Sequence, residues 1–173
     1  MSAGDPTGIG SDAAHPVAAD RFRAAMSRWA SGVTIFTAAG ADGPVGLTVS
    51  SFSSLSLDPP LVLGCIARST GAHDGLVGAD RFAVHLLGGG QQDLSNRFAG
   101  AMEQRFAGLS YEEGPGGVPL LPLGVARILC SKESTSPGGD HTILIGRVTA
   151  AATADGGPLL YFSRAYRRLG DPL

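Results

Sequence analysis

Glycine and proline punctuate this chain so densely that few stretches remain long enough for a helical bundle: 26 of 173 residues are Gly and 11 are Pro. Glycine admits positive φ and proline removes an amide donor, so this spacing favours short strands joined by tight turns. The hydrophobic pattern agrees. Val33 to Ala38 alternates in strand fashion, Gly40-Ala41-Asp42-Gly43-Pro44 marks a turn, and Val45 to Val49 returns as the partner strand of a hairpin. After the polar stretch Ser50 to Ser54 and the stop at Asp58-Pro59-Pro60, Leu61 to Ile66 is continuously apolar, as a central strand would be. Arg81 to Leu87, Val125 to Glu133, His141 to Ala152 and Leu159 to Phe162 complete the strand set. Helices are expected in three places. One is capped by Asp20, carries Phe22, Ala25, Met26, Trp29 and Ala30 on one face and stops at Gly32; one lies around His73 to Val77; one runs from Gln91 to Phe98 with Leu94 and Phe98 inward. Strands joined by short turns outnumber helices, which predicts a closed or half-closed antiparallel barrel with helices on its ends.

At 17.5 kDa and 43% hydrophobic residues the chain suits one globular domain. Residues 1–19 read as a flexible N-terminal arm and 20–173 as the domain. The arm contains Gly8, Gly10 and Ala13 in a GxGxxA pattern, but no strand precedes it, so it is not a dinucleotide fingerprint. A net charge of -2, with Lys132 the only lysine, argues against nucleic-acid binding. No apolar run reaches the ~18 to 20 residues of a membrane span, and no signal peptide is evident, which predicts a soluble, cytoplasmic protein. Cys65 and Cys130 form no CxxC pair and read as buried thiols. His15, His73, His85 and His141 are scattered, so no metal site is expected, and there is no P-loop, HExxH or GxSxG signature.

What stands out is the hydroxyl-rich run Thr48-Val49-Ser50-Ser51-Phe52-Ser53-Ser54, followed one strand later by Arg68-Ser69-Thr70. Hydroxyls and turn amides can hold a phosphate and the polar edge of a heterocycle without a lysine. The same residues can equally satisfy the backbone of ordinary turns.

The ordered series Phe22-Arg23-x-x-Met26, Gly32-Val33-Thr34, Gly46 to Phe52, Ser56-Leu57-Asp58-Pro59-Pro60-Leu61-Val62, Gln91-x-x-Leu94-Ser95-x-x-Phe98-Ala99-Gly100, Gly139-Asp140-His141 and Pro158-Leu159-Leu160-Tyr161 resembles the flavin reductase family of split-barrel flavin-binding proteins. The resemblance runs from about Phe22 to Leu169 and is strongest to the reductase components of two-component flavin-dependent monooxygenases. It implies a mainly β fold: a homodimer of six-stranded antiparallel split β-barrels with short helices. The implied activity is transfer of hydride from NADH or NADPH to FMN or FAD, with reduced flavin passed to a partner monooxygenase. Relatives of the barrel that keep FMN fixed for another oxidation, as in pyridoxamine-phosphate-oxidase-like enzymes, and non-catalytic flavin-binding accessory proteins are the alternatives.

By the same resemblance, Thr48, Val49, Ser50, Ser51 and Phe52 line the isoalloxazine; Cys65, Ile66 and Ala67 pass beside it; Ser69 and Thr70 hold the phosphate end. For Cys65 only the backbone need matter. Phe98, Ala99 and Phe106 border the flavin tail, although either Phe fits a plain core role as well. His141 is placed where the nicotinamide approaches, and Tyr161, Arg164 and Tyr166 are the remaining nucleotide contacts, with Arg164, Arg167 and Arg168 equally readable as a solvated face.

Overall fold

The computed structural model of the protein describes residues 17–170. Most of the expected arm, with His15 and the GxGxxA pattern, lies outside them; Ala19 already opens helix α1 (Ala19–Met26). Along the chain follow β1 (Ser31–Gly32), β2 (Thr34–Gly40), β3 (Gly43–Val49), β4 (Ser53–Leu57), β5 (Pro60–Ala67), α2 (His73–Gly78), β6 (Arg81–Leu86), α3 (Gln92–Ala99) and α4 (Met102–Arg105). Short β7 (Glu112–Glu113) and β8 (Pro119–Leu120) precede two long strands, β9 (Ala126–Gly138) and β10 (His141–Thr153), and the hairpin β11 (Leu159–Phe162) and β12 (Ala165–Arg168).

One antiparallel seven-stranded sheet dominates, in the order β3-β2-β6-β9-β10-β5-β4. Three strands separate β2 from β5 in that order, yet a methyl on Gly64 of β5 would stand 2.5 Å from Cζ of Phe36 on β2. The sheet therefore rolls onto itself. No ladder joins its edges β3 and β4, so it is rolled without closing. Inside the roll Phe36 and Phe82 stack at 5.6 Å, with Ile66, Val84 and Leu144 around them and Leu76 of α2 as a plug. Each such side chain contributes roughly 1.5 to 3 kcal/mol by burial. A second cluster, Ile35, Leu87, Phe98, Leu121 and Leu159, packs α3 and the small sheet β1-β11-β12 onto the outside.

Several expectations need correction. The main sheet has seven strands rather than six, because Ser53–Leu57, read as part of a polar stretch and its stop, pairs with β5 through a bulge at Ser54/Ser56. Helix α1 ends at Met26, is preceded by Ala18 rather than capped by Asp20, and buries none of its residues in this chain; Phe22, Met26 and Trp29 are all exposed. Strand β9 runs five residues past Glu133, since its far half needs only β10 as a partner. Helix α4 and strands β7, β8 and β12 were not foreseen.

Candidate functional site

Strand β5 ends at Ala67 directly opposite His141, the first residue of β10. Beyond it the Arg68 N–H donates to Asp140 O (3.0 Å) and the Thr70 N–H to Ala67 O (3.2 Å), which fastens the Arg68–Gly71 turn beside the Gly139-Asp140 turn. Gly139 has φ 65, a left-handed value that lets β9 reverse into β10 without strain. On the other flank of β5, the Ser51 hydroxyl accepts from Cys65 N–H (3.0 Å) and donates to Cys65 O (3.1 Å). Three segments predicted to share a ligand are thus brought together: Ser50–Phe52, Cys65–Thr70 and Asp140–His141.

The donor set there is distinctive. The N–H groups of Ser50, Ser51, Phe52, Ser69 and Gly71 and the hydroxyls of Ser50 and Ser69 find no acceptor among the described residues. Ser50, Ser51 and Ser69 are exposed. Unengaged neutral donors on one face suit a phosphate and the carbonyl and ring-nitrogen edge of a heterocycle, so the residues present fit a flavin. His141 is a partly exposed imidazole whose Nδ1 lies 2.7 Å from Asp140 Oδ1. A carboxylate only accepts, so Nδ1–H donates and Nε2 is left to accept from a ligand N–H. The hydrogen bond from His141 holds the Asp140 carboxyl below its ordinary range.

Other nominated residues are committed elsewhere. The Thr48 hydroxyl donates to Ser95 O (2.7 Å) and ties β3 to α3. Ile66 and Phe98 are fully buried in the core, so neither side chain borders an open ligand face. Phe98 meets Phe106 edge to face at 5.0 Å, and a methyl on Gly46 would stand 2.6 Å from the Phe98 ring. Ala99 is exposed. Phe52 packs against Phe36 (6.3 Å), Val49 is buried, and Thr70 Oγ1 accepts from Ala72 N–H (3.4 Å). Cys65 is only half-buried, whereas Cys130 is buried and its thiol is pushed up to about 12. Tyr166 shares a hydrogen bond with Ser95 Oγ (2.9 Å), donates to Asn96 Oδ1 (3.0 Å) and packs on Tyr161 (5.4 Å). It braces α3 instead of reaching towards His141. Arg164 is exposed at the β11–β12 tip, where both Ser163 (φ 51) and Arg164 (φ 61) hold positive φ.

Three polar features escaped the sequence reading because their partners are distant in the chain. Arg105 is buried and donates to Gly46 O (2.8 Å) and Gly100 O (2.8 and 3.1 Å), locking the α3–α4 corner onto β3. His85 lies under Thr37 and opposite Arg127. His73 joins Asp74 to Thr142. Only His85, set between Val84 and Leu86, carries a local sign, a histidine inside an apolar strand. Two cavities of about 590 and 580 Å³ open away from the donor face, one at Gly88, Gly124, Gly156 and Arg168, the other between the Gly40–Pro44 turn and α2, reaching the face only at Gly71. No group of three or more His, Cys, Asp or Glu among the described residues could hold a metal. No described helix is long and apolar enough to cross a membrane.

Residues 26–170 match the family model described as flavin reductase like domain, and the chain belongs to that family. It is 42% identical over 147 residues to the FMN reductase (NADH) SmoA of Agrobacterium fabrum, covering 85% of this chain and 84% of the relative. It is 37% identical over 161 residues to HsaB, the reductase subunit of a flavin-dependent monooxygenase from Rhodococcus jostii, covering 92% and 83%. The chain spans smaller shares, 42% and 56%, of two relatives from Rhizobium meliloti. Among solved structures, the NADH:FAD oxidoreductase SgcE6 of Streptomyces globisporus, in complex with NAD and FAD fragments, superposes with a TM-score of 0.82 at 33% identity over 87% of this chain and 92% of that one.

Proposed function

We propose that this chain is a flavin reductase that takes hydride from NADH or NADPH, passes it to free FMN or FAD, and supplies reduced flavin to a partner monooxygenase. The observation that carries the reading is the face of unengaged donors beside an oriented, accepting His141. Bound there, flavin supplies the hydride acceptor, and the chain's own residues bind and orient. The Ser50, Ser51 and Phe52 amides would serve the heterocycle edge, where donors favour developing negative charge. The Ser69 amide and hydroxyl, with the Gly71 amide, would hold the phosphate end beside Thr70. Ser51 sets this up indirectly, because its hydroxyl docks the amide run on Cys65. The backbone of Cys65, Ile66 and Ala67 forms the floor. His141 Nε2 would accept from the nicotinamide carboxamide, so it positions the donor ring and transfers no proton. Hydride transfer needs only stacked rings at ~3 to 3.5 Å, and alignment is the contribution asked of the protein.

The donor face is open in a single chain, and Phe22, Met26, Trp29, Leu55 and Leu57 expose apolar surface. Both features support a homodimer in which a second copy covers α1 and the β4 edge, completing the split barrel. Arg164 and Tyr161 would serve the nucleotide from the β11–β12 hairpin, and the compartment would be the cytoplasm. Steady-state oxidation of NADH and NADPH with FMN, FAD and riboflavin tests the proposal. Turnover should require added flavin, and ultrafiltration under anaerobic conditions should recover reduced flavin in the filtrate. Absence of turnover with every pair would overturn it. Light scattering should give twice the monomer mass.

A further inference from the structure

We infer that His73 is a positioning residue that sets the spacing between the two halves of the site. The inference rests on the reductase reading above. The His73 backbone N–H donates to Thr70 O (3.0 Å), so the residue belongs to the turn that carries Ser69 and Thr70. Its side chain reaches the opposite way. His73 Nδ1 lies 2.7 Å from Asp74 Oδ1 and Nε2 lies 2.9 Å from Thr142 Oγ1, the residue next to His141 on β10. The Asp74 carboxylate can only accept, so it fixes the proton on Nδ1 and leaves Nε2 to accept from the Thr142 hydroxyl.

The strand geometry explains why this matters for His141. Thr142 and His141 are consecutive on β10 and point to opposite faces. Thr142 is buried while His141 is partly exposed, in the alternating pattern of the whole strand start. Helix α2, which plugs the rolled sheet through Leu76, therefore grips β10 from inside at the position immediately behind His141. The ladder already pairs His141 with Ala67 and Thr142 with Ile66, but it fixes only the β5–β10 register. The Arg68 N–H bond to Asp140 O holds the near end of the following turn, but Ser69 to Gly71 make no hydrogen bond to β10 among the described residues. His73 closes a loop of contacts from Thr70 to Thr142 that ties the phosphate-holding turn to the strand carrying His141. Asp74 is fully exposed and its carboxylate bonds the His73 ring, so its part is to hold the imidazole in this tautomer.

The arrangement implies a particular kinetic signature. Loosening the tie misaligns two bound ligands without removing a contact to either. His73→Ala should lower the rate of hydride transfer at saturating NADH and FMN about five- to tenfold, while the FMN dissociation constant changes less than twofold. His73→Gln, whose amide reaches the Nε2 position and can still engage Thr142, should restore most of the rate. Thr142→Val should reproduce the loss, and the double variant His73→Ala/Thr142→Val should be no slower than either single one, because both remove the same tie. Thermal melts identify loss through unfolding; Thr142→Val, which preserves shape, carries the test if His73→Ala folds poorly. Equal defects in His73→Gln and His73→Ala, additive defects in the double variant, or unchanged transfer in Thr142→Val would overturn the inference. A wild-type protein without any flavin-dependent turnover would instead overturn the reductase reading itself, so the two failures are separable.

Discussion

The buried His85 should make the protein lose stability on mild acidification, well above the range where carboxylates titrate. His85 is 1% exposed and its Nε2 lies 3.0 Å from Thr37 Oγ1. Thr37 spends its own proton on Pro119 O (2.6 Å), so it must accept from His85 Nε2–H. The Nδ1 atom is left unprotonated, buried and without a partner, opposite Arg127 on the neighbouring strand. Burial above all, then the Arg127 charge, lowers the imidazole to about 3 from 6.5, against a smaller opposing effect of the Pro119 carbonyl. A folded value below the unfolded one means that the unfolded chain binds the extra proton first. The stabilisation is therefore complete above pH 6.5 and is lost as pH falls from 6.5 towards 3. Linkage between those two values gives a loss of about 2 kcal/mol on going from pH 7.5 to pH 5.0. For a domain of this size that corresponds to roughly 4 to 8 °C in Tm. Urea unfolding at both pH values, on the wild type and on His85→Gln, isolates this group, because Gln can donate to Thr37 but does not titrate. The variant should lose about 2 kcal/mol less than the wild type across the interval. Equal losses in the two proteins, or an imidazole that NMR finds protonated at pH 5.0 in the folded state, would refute the reasoning.

Ser69→Ala should raise the FMN dissociation constant about tenfold with an unchanged melt, since its hydroxyl has no partner among the described residues; a charge-assisted bond contributes roughly 1.5 to 3 kcal/mol. His141→Ala should raise KM for the pyridine nucleotide or slow flavin reduction in stopped flow, leaving flavin affinity and Tm nearly unchanged; a lowered Tm with normal reduction would return it to a structural role. Arg105→Met should cost about 2 to 4 kcal/mol in chemical denaturation, because the Gly46 and Gly100 carbonyls lose their donor. Replacing Ser163-Arg164 by Asn-Gly should raise Tm by relieving two positive-φ residues; if Arg164 serves the nucleotide, KM for NADH should rise at the same time.

The strands that face the core were legible because one face of each alternates or runs apolar, and β2, β3, β5, β6 and β10 all lie where that pattern puts them. Strand β4 was not. Its sequence Ser53-Ser54-Leu55-Ser56-Leu57 is largely hydroxylic, and as an edge strand it leaves Leu55 and Leu57 exposed, so no burial pattern marks it. Helix α1 misled for the opposite reason: its apolar face is genuine, but nothing among the described residues covers it. In the site, local order was readable and hydroxyl roles were not. Among the described residues the Ser50 and Ser69 hydroxyls have no partner, whereas those of Thr48 and Ser51, of the same chemistry, bond to Ser95 and Cys65, residues 47 and 14 positions away. A sequence presents hydroxyls alike; only the tertiary neighbours decide which remain available.

Among the described residues the far half of β9, from Lys132 to Gly138, has β10 as its only ladder neighbour, while β10 stays paired with β5 up to His141, where the ribbon turns back. Glu133 to Asp140 are all exposed, so recomposing this outer edge disturbs no buried packing, although the turn keeps its bond from Arg68 N–H to Asp140 O. The His141 edge of the site can therefore diverge by substitution along β9, while the Ser50–Phe52 edge is held fast by Ser51 on β5. If His141 positions the nicotinamide, selection for a different reductant should write its changes into this ribbon first, and grafting ribbons between homologues should shift coenzyme preference.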